Sequence, residues 1–225
     1  MSDTEADGDG GREYDPDATN AFPDERVNAV LSLLESDPEV DAYLAAQNVN
    51  PVQRKEYNDH GQKHIEIVRN RALCLYDLLK RGGVEFNGAR EQGLDEADEP
   101  VIVALAATLH AILCHHTEET PLTLEAGVVR VADALDMEQG RSRIPYERGG
   151  RGIDTLSSQA IQRVSLSPGD DRPVLVEIEM NAAAGVYQVD ELLTSKLHAS
   201  GLEEQVRIVA VNTEDDGTLV ERIEL

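Results

Sequence analysis

The chain has 225 residues, enough for one large domain or two small ones around a real hydrophobic core. Its 44 acidic residues outnumber its 20 basic ones, and the formal charge of −24 is spread along the whole sequence. A surface of this sign repels nucleic-acid phosphates and anionic membranes, so neither a polymeric nucleic acid nor a membrane is expected as a partner. The same surface predicts a halophilic protein, because dissolved salt screens the repulsion between its charges.

Residues 1–20 are rich in Asp, Glu and Gly, and their low apolar content predicts a disordered acidic tail. This segment has no apolar stretch of the kind found in signal peptides. No apolar run approaches the roughly 20 residues that cross a bilayer. Cys74 and Cys114 lie in apolar helical contexts and are expected to be buried, reduced thiols. These features together predict a cytoplasmic protein.

Helical periodicity dominates residues 21–140, which we expect to form one helical domain. The long third helix should end at Gly82 and the last one at Gly140, with an acidic loop after the third. One face of the third helix should carry its apolar residues, which are Ile65, Val68, Ala72, Leu75, Leu78 and Leu79. The predicted helices begin near Pro23, Pro38, Asn58, Pro100 and Leu122.

Residues 141–152 are rich in Gly and Arg and are interpreted as a linker. The pattern then changes to alternation of apolar and polar residues, which is typical of strands. Strands are predicted over 162–166, 174–180, 206–211 and 219–223, with a helix over 189–199. The fold class expected is therefore a mainly α N-terminal domain followed, over 153–225, by a small α+β domain with an antiparallel sheet.

Five of the six histidines lie in the predicted helical domain. His60 and His64 are four residues apart at the start of one helix, so they share a face and could present two imidazoles to one metal or phosphate. A surface or capping role fits that spacing equally well. His110 lies in a strongly apolar helix, where a histidine is ordinarily a satisfied core residue. His115 and His116 end that helix, where the helix dipole favours a partly cationic ring.

Asp133 favours a metal site over these structural roles. It interrupts an apolar helix on or near the face expected to be buried, and an inward carboxylate is costly unless it is paired or binds a cation. Helical histidines with an inward carboxylate form a typical donor set for divalent metals. Asp136, the competing carboxylate on the same helix, is expected to be solvated or paired with Arg130 or Arg143.

In their order along the chain, these residues resemble the HD-domain superfamily of metal-dependent phosphohydrolases. HGQKHIEIVRNRAL resembles the first motif of that superfamily, AILCHHTEETP a later histidine segment, and VVRVADALDM the last motif. The resemblance extends from about Asn58 to the C-terminus and implies a helical fold that gathers one or two divalent metals. It implies metal ligation by His64, His110 and Asp133, and phosphate contact or proton transfer by His60, His115 and His116.

The sequence departs from the superfamily at the second motif, where aspartate directly follows the histidine. Here Ala111 follows His110, and His110 stands only five residues before His115, as if the helices between these motifs were missing. His110 could therefore match either motif. For this chain, the resemblance then implies a weakened site for Mn, Fe, Zn or Mg, with hydrolysis severely reduced or absent. The lost helices would uncover apolar surface that could pair with a second copy of the chain.

Two functions of different classes follow from this pattern. One is a metal-dependent phosphohydrolase acting on a phosphorylated small molecule or a nucleotide. The other is a catalytically degenerate module that binds a nucleotide or a partner protein, and Ala111 favours it. Four arginines near the expected domain junction suit phosphate, although neutralisation of neighbouring carboxylates is the favoured role. They are Arg141, Arg143, Arg148 and Arg151.

Overall fold

The computed structural model describes residues 22–47, 61–113, 121–139, 153–213 and 222–224. The first half is helical and the second combines helices with a sheet, which confirms the expected fold class. No helix in these ranges has both the length and the apolar character needed to cross a bilayer. The helices of the first half are α1 (Glu25–Glu35), α2 (Pro38–Gln47), α3 (Gln62–Arg81), α4 (Asn87–Gln92), α5 (Glu99–Leu113) and α6 (Leu124–Leu135), with a short 3-10 helix at Glu96–Asp98.

The helix α3 is central to the first half and lies against both α5 and α6. Its apolar residues recur every three or four positions and are buried, as the sequence predicts. Each Leu or Val removed from water contributes about 1.5–3 kcal/mol. Because this stripe fixes the rotation of α3 about its own axis, it also fixes the direction of His64, which lies one turn before Val68.

A short helix, α4, and the following 3-10 helix occupy the segment where the sequence predicts an acidic loop. Six residues are too few to show helical periodicity, and α4 depends on a contact from elsewhere in the chain. The backbone N–H of Gly88 donates a 2.7 Å hydrogen bond to Oε1 of the buried Glu125. Asn87 in turn accepts a hydrogen bond from the backbone N–H of Leu124. Tertiary hydrogen bonds therefore form this element.

The helix α6 begins as expected and ends early. Thr123 caps it by accepting a hydrogen bond from the backbone N–H of Ala126. The sequence predicts that it ends at Gly140, but its last helical residue is Leu135. The helix ends there because Asp136 leaves the helical conformation, with ψ at 67°. The guanidinium of the buried Arg71 donates a hydrogen bond to the carbonyl of Leu135, which satisfies an acceptor at the end of the helix.

Cys74 lies on α3 and is buried, as expected, and it is a free thiol. Burial raises the pKa of this thiol to about 12, so it stays protonated and unreactive at neutral pH. Cys114 lies outside the residues that the structure describes.

The second half contains a four-stranded sheet in the order β1-β2-β3-β4. The pairs β1–β2 and β3–β4 are antiparallel, as expected, whereas β2 and β3 run parallel. A parallel pair needs a long crossover connection, and the segment between these strands provides it with helical turns. The strands are β1 (Ile161–Pro168), β2 (Val174–Met180), β3 (Val206–Asn212) and β4 (Arg222–Glu224).

The crossover connection between β2 and β3 consists of three helical pieces. A 3-10 helix at Ala183–Gly185 is followed by a π-helix at Gln188–Thr194, which runs directly into α8 (Ser195–His198). The remaining helix, α7 (Ile153–Gln159), precedes β1. The sequence predicts one regular helix over 189–199, and the observed segment is π-helical over most of that range.

The buried apolar residues of the helices and of the sheet form one continuous cluster. A polar contact also joins the two parts, because Oε1 of Glu138 lies 2.9 Å from the Arg71 guanidinium and accepts a hydrogen bond from the backbone N–H of Val164 on β1. The predicted linker, 141–152, lies outside the described residues. The division of the chain into two domains at that linker stays a prediction.

Gly127 marks the closest approach of α6 to the segment after α8. A Cβ atom at this position would overlap the backbone carbonyl of Ser200. Only glycine lets the two backbones come this near, and α8 packs against α6 beside this contact. The position of α8 relative to Asp133 is therefore part of the packing of the protein.

We expect Gly127→Ala to lower the free energy of unfolding by about 1–3 kcal/mol, because the added methyl group must push the Ser200 backbone away. Helix propensity alone predicts the opposite, a gain of about 0.5–1 kcal/mol. Urea unfolding in high salt measures the difference. Ala126→Gly, at the exposed neighbouring position, serves as the control for propensity. A stabilised Gly127→Ala protein would contradict the close contact.

Candidate functional site

A cluster of four polar side chains, three of them buried, lies where α3, α6 and α8 meet. It consists of His64 from the first turn of α3, Asp133 and Asp136 from the end of α6, and Lys196 from α8. His64, Asp133 and Asp136 are 2%, 5% and 3% exposed. We call these four residues the His64 cluster. Ionisable groups this well buried require partners of opposite charge or a bound cation.

Each nitrogen of the His64 ring faces a carboxylate. Its Nδ1 lies 2.5 Å from Oδ2 of Asp136, and its Nε2 lies 3.2 Å from Oδ1 of Asp133. A carboxylate oxygen only accepts hydrogen bonds, so each nitrogen needs either a proton or a cation between itself and the oxygen. A neutral imidazole carries one proton, which leaves the second nitrogen as a possible metal ligand.

Lys196 neutralises part of the acidic charge. Its ammonium donates a hydrogen bond to Oδ2 of Asp133, the oxygen that does not face His64. Two carboxylates and one ammonium leave one negative charge among the four residues when the imidazole is neutral. A second proton on His64 or a bound cation would balance it.

The site also fits part of a divalent-metal centre. Two donors bound at about 2.0–2.2 Å to one ion, and roughly at a right angle, lie about 3 Å apart. The 3.2 Å between His64 Nε2 and Asp133 Oδ1 agrees with that separation. Asp136, on the other ring nitrogen, stands where metal-binding histidines usually have a carboxylate that fixes their orientation. Among the described residues no group of three or more His, Cys, Asp or Glu side chains is placed to hold a metal ion, so a cation here would have two described protein donors, His64 and Asp133.

Two of the six residues predicted for the site are brought together. His64 and Asp133 are in direct contact, although they are far apart in sequence. His110 lies in α5, but its side chain lies outside what the structure describes. The predicted catalytic residues His60, His115 and His116 and the arginines Arg141, Arg143, Arg148 and Arg151 lie outside the described residues, so their roles stay predictions.

Asp136 is 3% exposed and lies against His64, so the expectation that it is solvated is wrong. The alternative expectation, a pairing with Arg130 or Arg143, stays a prediction. If the helix continued to Gly140, as the sequence predicts, Asp136 would point away from the core. The helix instead ends at Leu135, one residue before Asp136, and the changed backbone direction brings Asp136 onto His64. The sequence pattern did not indicate this early helix end.

Sequence reasoning missed Lys196 altogether. It is one of only four lysines in the sequence, and it lies 63 residues after its partner Asp133. No local pattern reports a contact over that distance. Its rarity in a chain rich in arginine is the one signal that could have marked it.

Burial of a carboxylate does not by itself indicate a functional site in this protein. Glu99 is fully buried, yet it accepts a hydrogen bond from the hydroxyl of Tyr76 and pairs with Lys80 at 3.0 Å. Burial and the neighbouring Glu99 raise the pKa of Tyr76. Glu125 likewise has a structural role at the start of α4. The His64 cluster differs because its carboxylates converge on a histidine.

Comparison with known proteins finds one uncharacterized archaeal relative. The chain is 30% identical over 216 residues to the uncharacterized protein MJ1020 of Methanocaldococcus jannaschii, and the alignment covers 76% of this chain and 83% of the relative. Since 76% of 225 residues is well below 216, the matched stretch of the relative contains residues that this chain lacks. No family model and no solved structure matches the chain.

We expect Asp136→Ala to lower the free energy of unfolding by about 1–3 kcal/mol, because it leaves the buried Nδ1 of His64 without its carboxylate. Asp136→Asn should cost less, since its amide oxygen still accepts a hydrogen bond. Urea unfolding in high salt checks both values. Glu204→Ala, at an exposed carboxylate, is the control and should stay within about 0.5 kcal/mol. Equal stability of Asp136→Ala and this control would contradict the role of Asp136.

Proposed function

The chain belongs to the same family as the uncharacterized protein MJ1020, and we propose that it is an HD-type protein that binds one divalent metal and has severely reduced phosphohydrolase activity. One observation carries this proposal. His64 Nε2 and Asp133 Oδ1 lie 3.2 Å apart in a buried site, with Asp136 behind the ring. The two residues that approach each other are two of the three that the motif resemblance assigns to the metal.

His64 and Asp133 would hold the metal, and His110 would join them in the arrangement that the resemblance implies. An imidazole with a carboxylate suits Mn, Fe or Zn better than Mg, which prefers oxygen ligands. The bound metal would supply positive charge that polarises a phosphoester. Asp136 would hold the imidazole so that Nε2 keeps facing Asp133. The substrate or ligand would be a phosphorylated small molecule or a nucleotide.

Two features support weak or absent hydrolysis. When His110 is matched to the second motif, Ala111 stands where the superfamily has the aspartate of its His-Asp pair, so a carboxylate that can bridge two metals is lacking. The additional residues of the relative support the interpretation that this chain lacks a segment that relatives carry. We extend the proposal to a cytoplasmic location in a salt-rich cell and to pairing with a second copy.

A second candidate is a degenerate module that binds a nucleotide or partner protein and catalyses nothing. The contact between Lys196 and Asp133 favours it, because an ammonium already neutralises one of the carboxylates that a catalytic metal would use. The two candidates share the fold and differ in metal affinity and turnover, so both can be tested with the same protein.

We expect protein prepared in high salt without chelator to bind about one equivalent of Mn²⁺, measured by isothermal titration calorimetry. His64→Ala and Asp133→Asn should lose that binding, because each removes a donor of the pair. Asp136→Asn should weaken it by about 10–100-fold, since it only orients His64. Glu204→Ala, away from the site, is the control. Absence of Mn²⁺ binding in the parent protein would overturn the proposal.

Ala111→Asp tests the reason given for weak hydrolysis. It restores the residue pair of the superfamily next to His110, so we expect tighter Mn²⁺ binding and a gain in hydrolysis of p-nitrophenyl phosphate over the parent chain. Circular dichroism and urea unfolding check that the variant is folded. A folded variant with tighter Mn²⁺ binding but no hydrolysis would favour the degenerate module.

A further inference from the structure

Lys196 reaches the His64 cluster from the α+β half of the chain. Its ammonium binds a carboxylate whose side chain is only 7% exposed, whereas the lysine itself is 31% exposed. Exposed ion pairs such as Lys63 with Glu66 contribute little, because water solvates both partners. Asp133 lacks that solvation, so its cationic partner decides whether the buried charge is tolerated.

The segment that carries Lys196 is anchored on both sides. Before it, Gln188 begins the π-helix, and its side chain donates a buried 2.7 Å hydrogen bond to Oγ of Ser157. After it, the Ser200 backbone lies against Gly127 of α6. The π-helix leads directly into α8, and π-helical turns are rare and frequent at functional sites. The lysine is therefore delivered to Asp133 by a packed element of the second half.

The carboxylate of Asp133 would interact with two cations, the lysine ammonium and the metal of the proposed function. Oδ1 of Asp133 faces His64 Nε2, where the metal of the proposed function would bind, and Oδ2 faces the lysine ammonium. A divalent cation on one oxygen and an ammonium on the other repel each other over a few ångströms in a poorly solvated site. Occupation by either cation therefore weakens the other.

We propose that Lys196 is the resident cation of the site and competes with a divalent metal for Asp133, so that metal binding releases α8 from this contact. The proposal rests on the metal site proposed above and adds its regulation. It assigns the α+β half a role, which is to neutralise part of the acidic charge of the site and to respond when metal enters.

We expect Lys196→Met to bind Mn²⁺ about tenfold or more tightly than the parent protein in calorimetric titrations, because the competing ammonium is gone. Lys80→Met is the matched control. Lys80 is similarly exposed, at 25%, and pairs with the buried carboxylate of Glu99, but it does not contact the His64 cluster. Its variant should bind Mn²⁺ like the parent.

A second measurement uses the parent protein and needs no folded variant. Acetylation of lysines by a water-soluble ester, followed by mass spectrometry, reports how accessible each ammonium is. Mn²⁺ should raise the rate of acetylation at Lys196 and leave the rate at Lys80 unchanged.

The outcomes separate this inference from the proposed function. Unchanged or weaker Mn²⁺ binding by Lys196→Met, in a parent that does bind Mn²⁺ through Asp133, would overturn the inference alone. An unchanged rate of Lys196 acetylation on Mn²⁺ binding would also overturn it. If the parent, Lys196→Met and Lys80→Met all fail to bind Mn²⁺, both the metal site and the competition are wrong.

Discussion

The site depends on one buried interaction, an imidazole held between two carboxylates. His64 can occupy this position only if α3 is rotated so that its apolar stripe faces α5 and α6, and only if α6 ends where Asp136 can turn back. Arg71 fixes that end by binding the Leu135 carbonyl. Burying two carboxylates is costly unless their charge is matched, so the helix packing that buries them also requires positive charge nearby.

The α+β half contributes positive charge to the site. Its sheet contains no catalytic constellation among the described residues, yet the crossover between β2 and β3 carries Lys196 onto Asp133. A parallel pair of strands requires such a crossover, and the contact at Gly127 keeps it against α6. The half that lacks candidate donors in sequence thus supplies the cation of the site.

The helices, most of the strands and the inward direction of Asp133 follow from periodicity, because an apolar stripe or an alternating pattern is written locally. The rest depends on distant contacts. The helix α4 forms because Glu125 holds its first turn, and Asp136 reaches His64 because α6 ends at Leu135. Lys196 meets Asp133 across 63 residues of chain. No local pattern carries these facts, so the sequence prediction included His64 and Asp133 but not their partners Asp136 and Lys196.

Under the proposed function, the absence of an aspartate after His110 and the presence of Lys196 are related through charge. A site that holds divalent metal can keep several carboxylates buried, since the metal neutralises them. If the metal were held weakly, the same carboxylates would need another cation, and a lysine of the same chain packed beside them is always present. Under the proposed function, Lys196 would keep a weakened site folded around Asp133 and Asp136. Under the proposed function, the buried cluster would be a metal site whose acidic charge Lys196 partly neutralises, with or without hydrolysis.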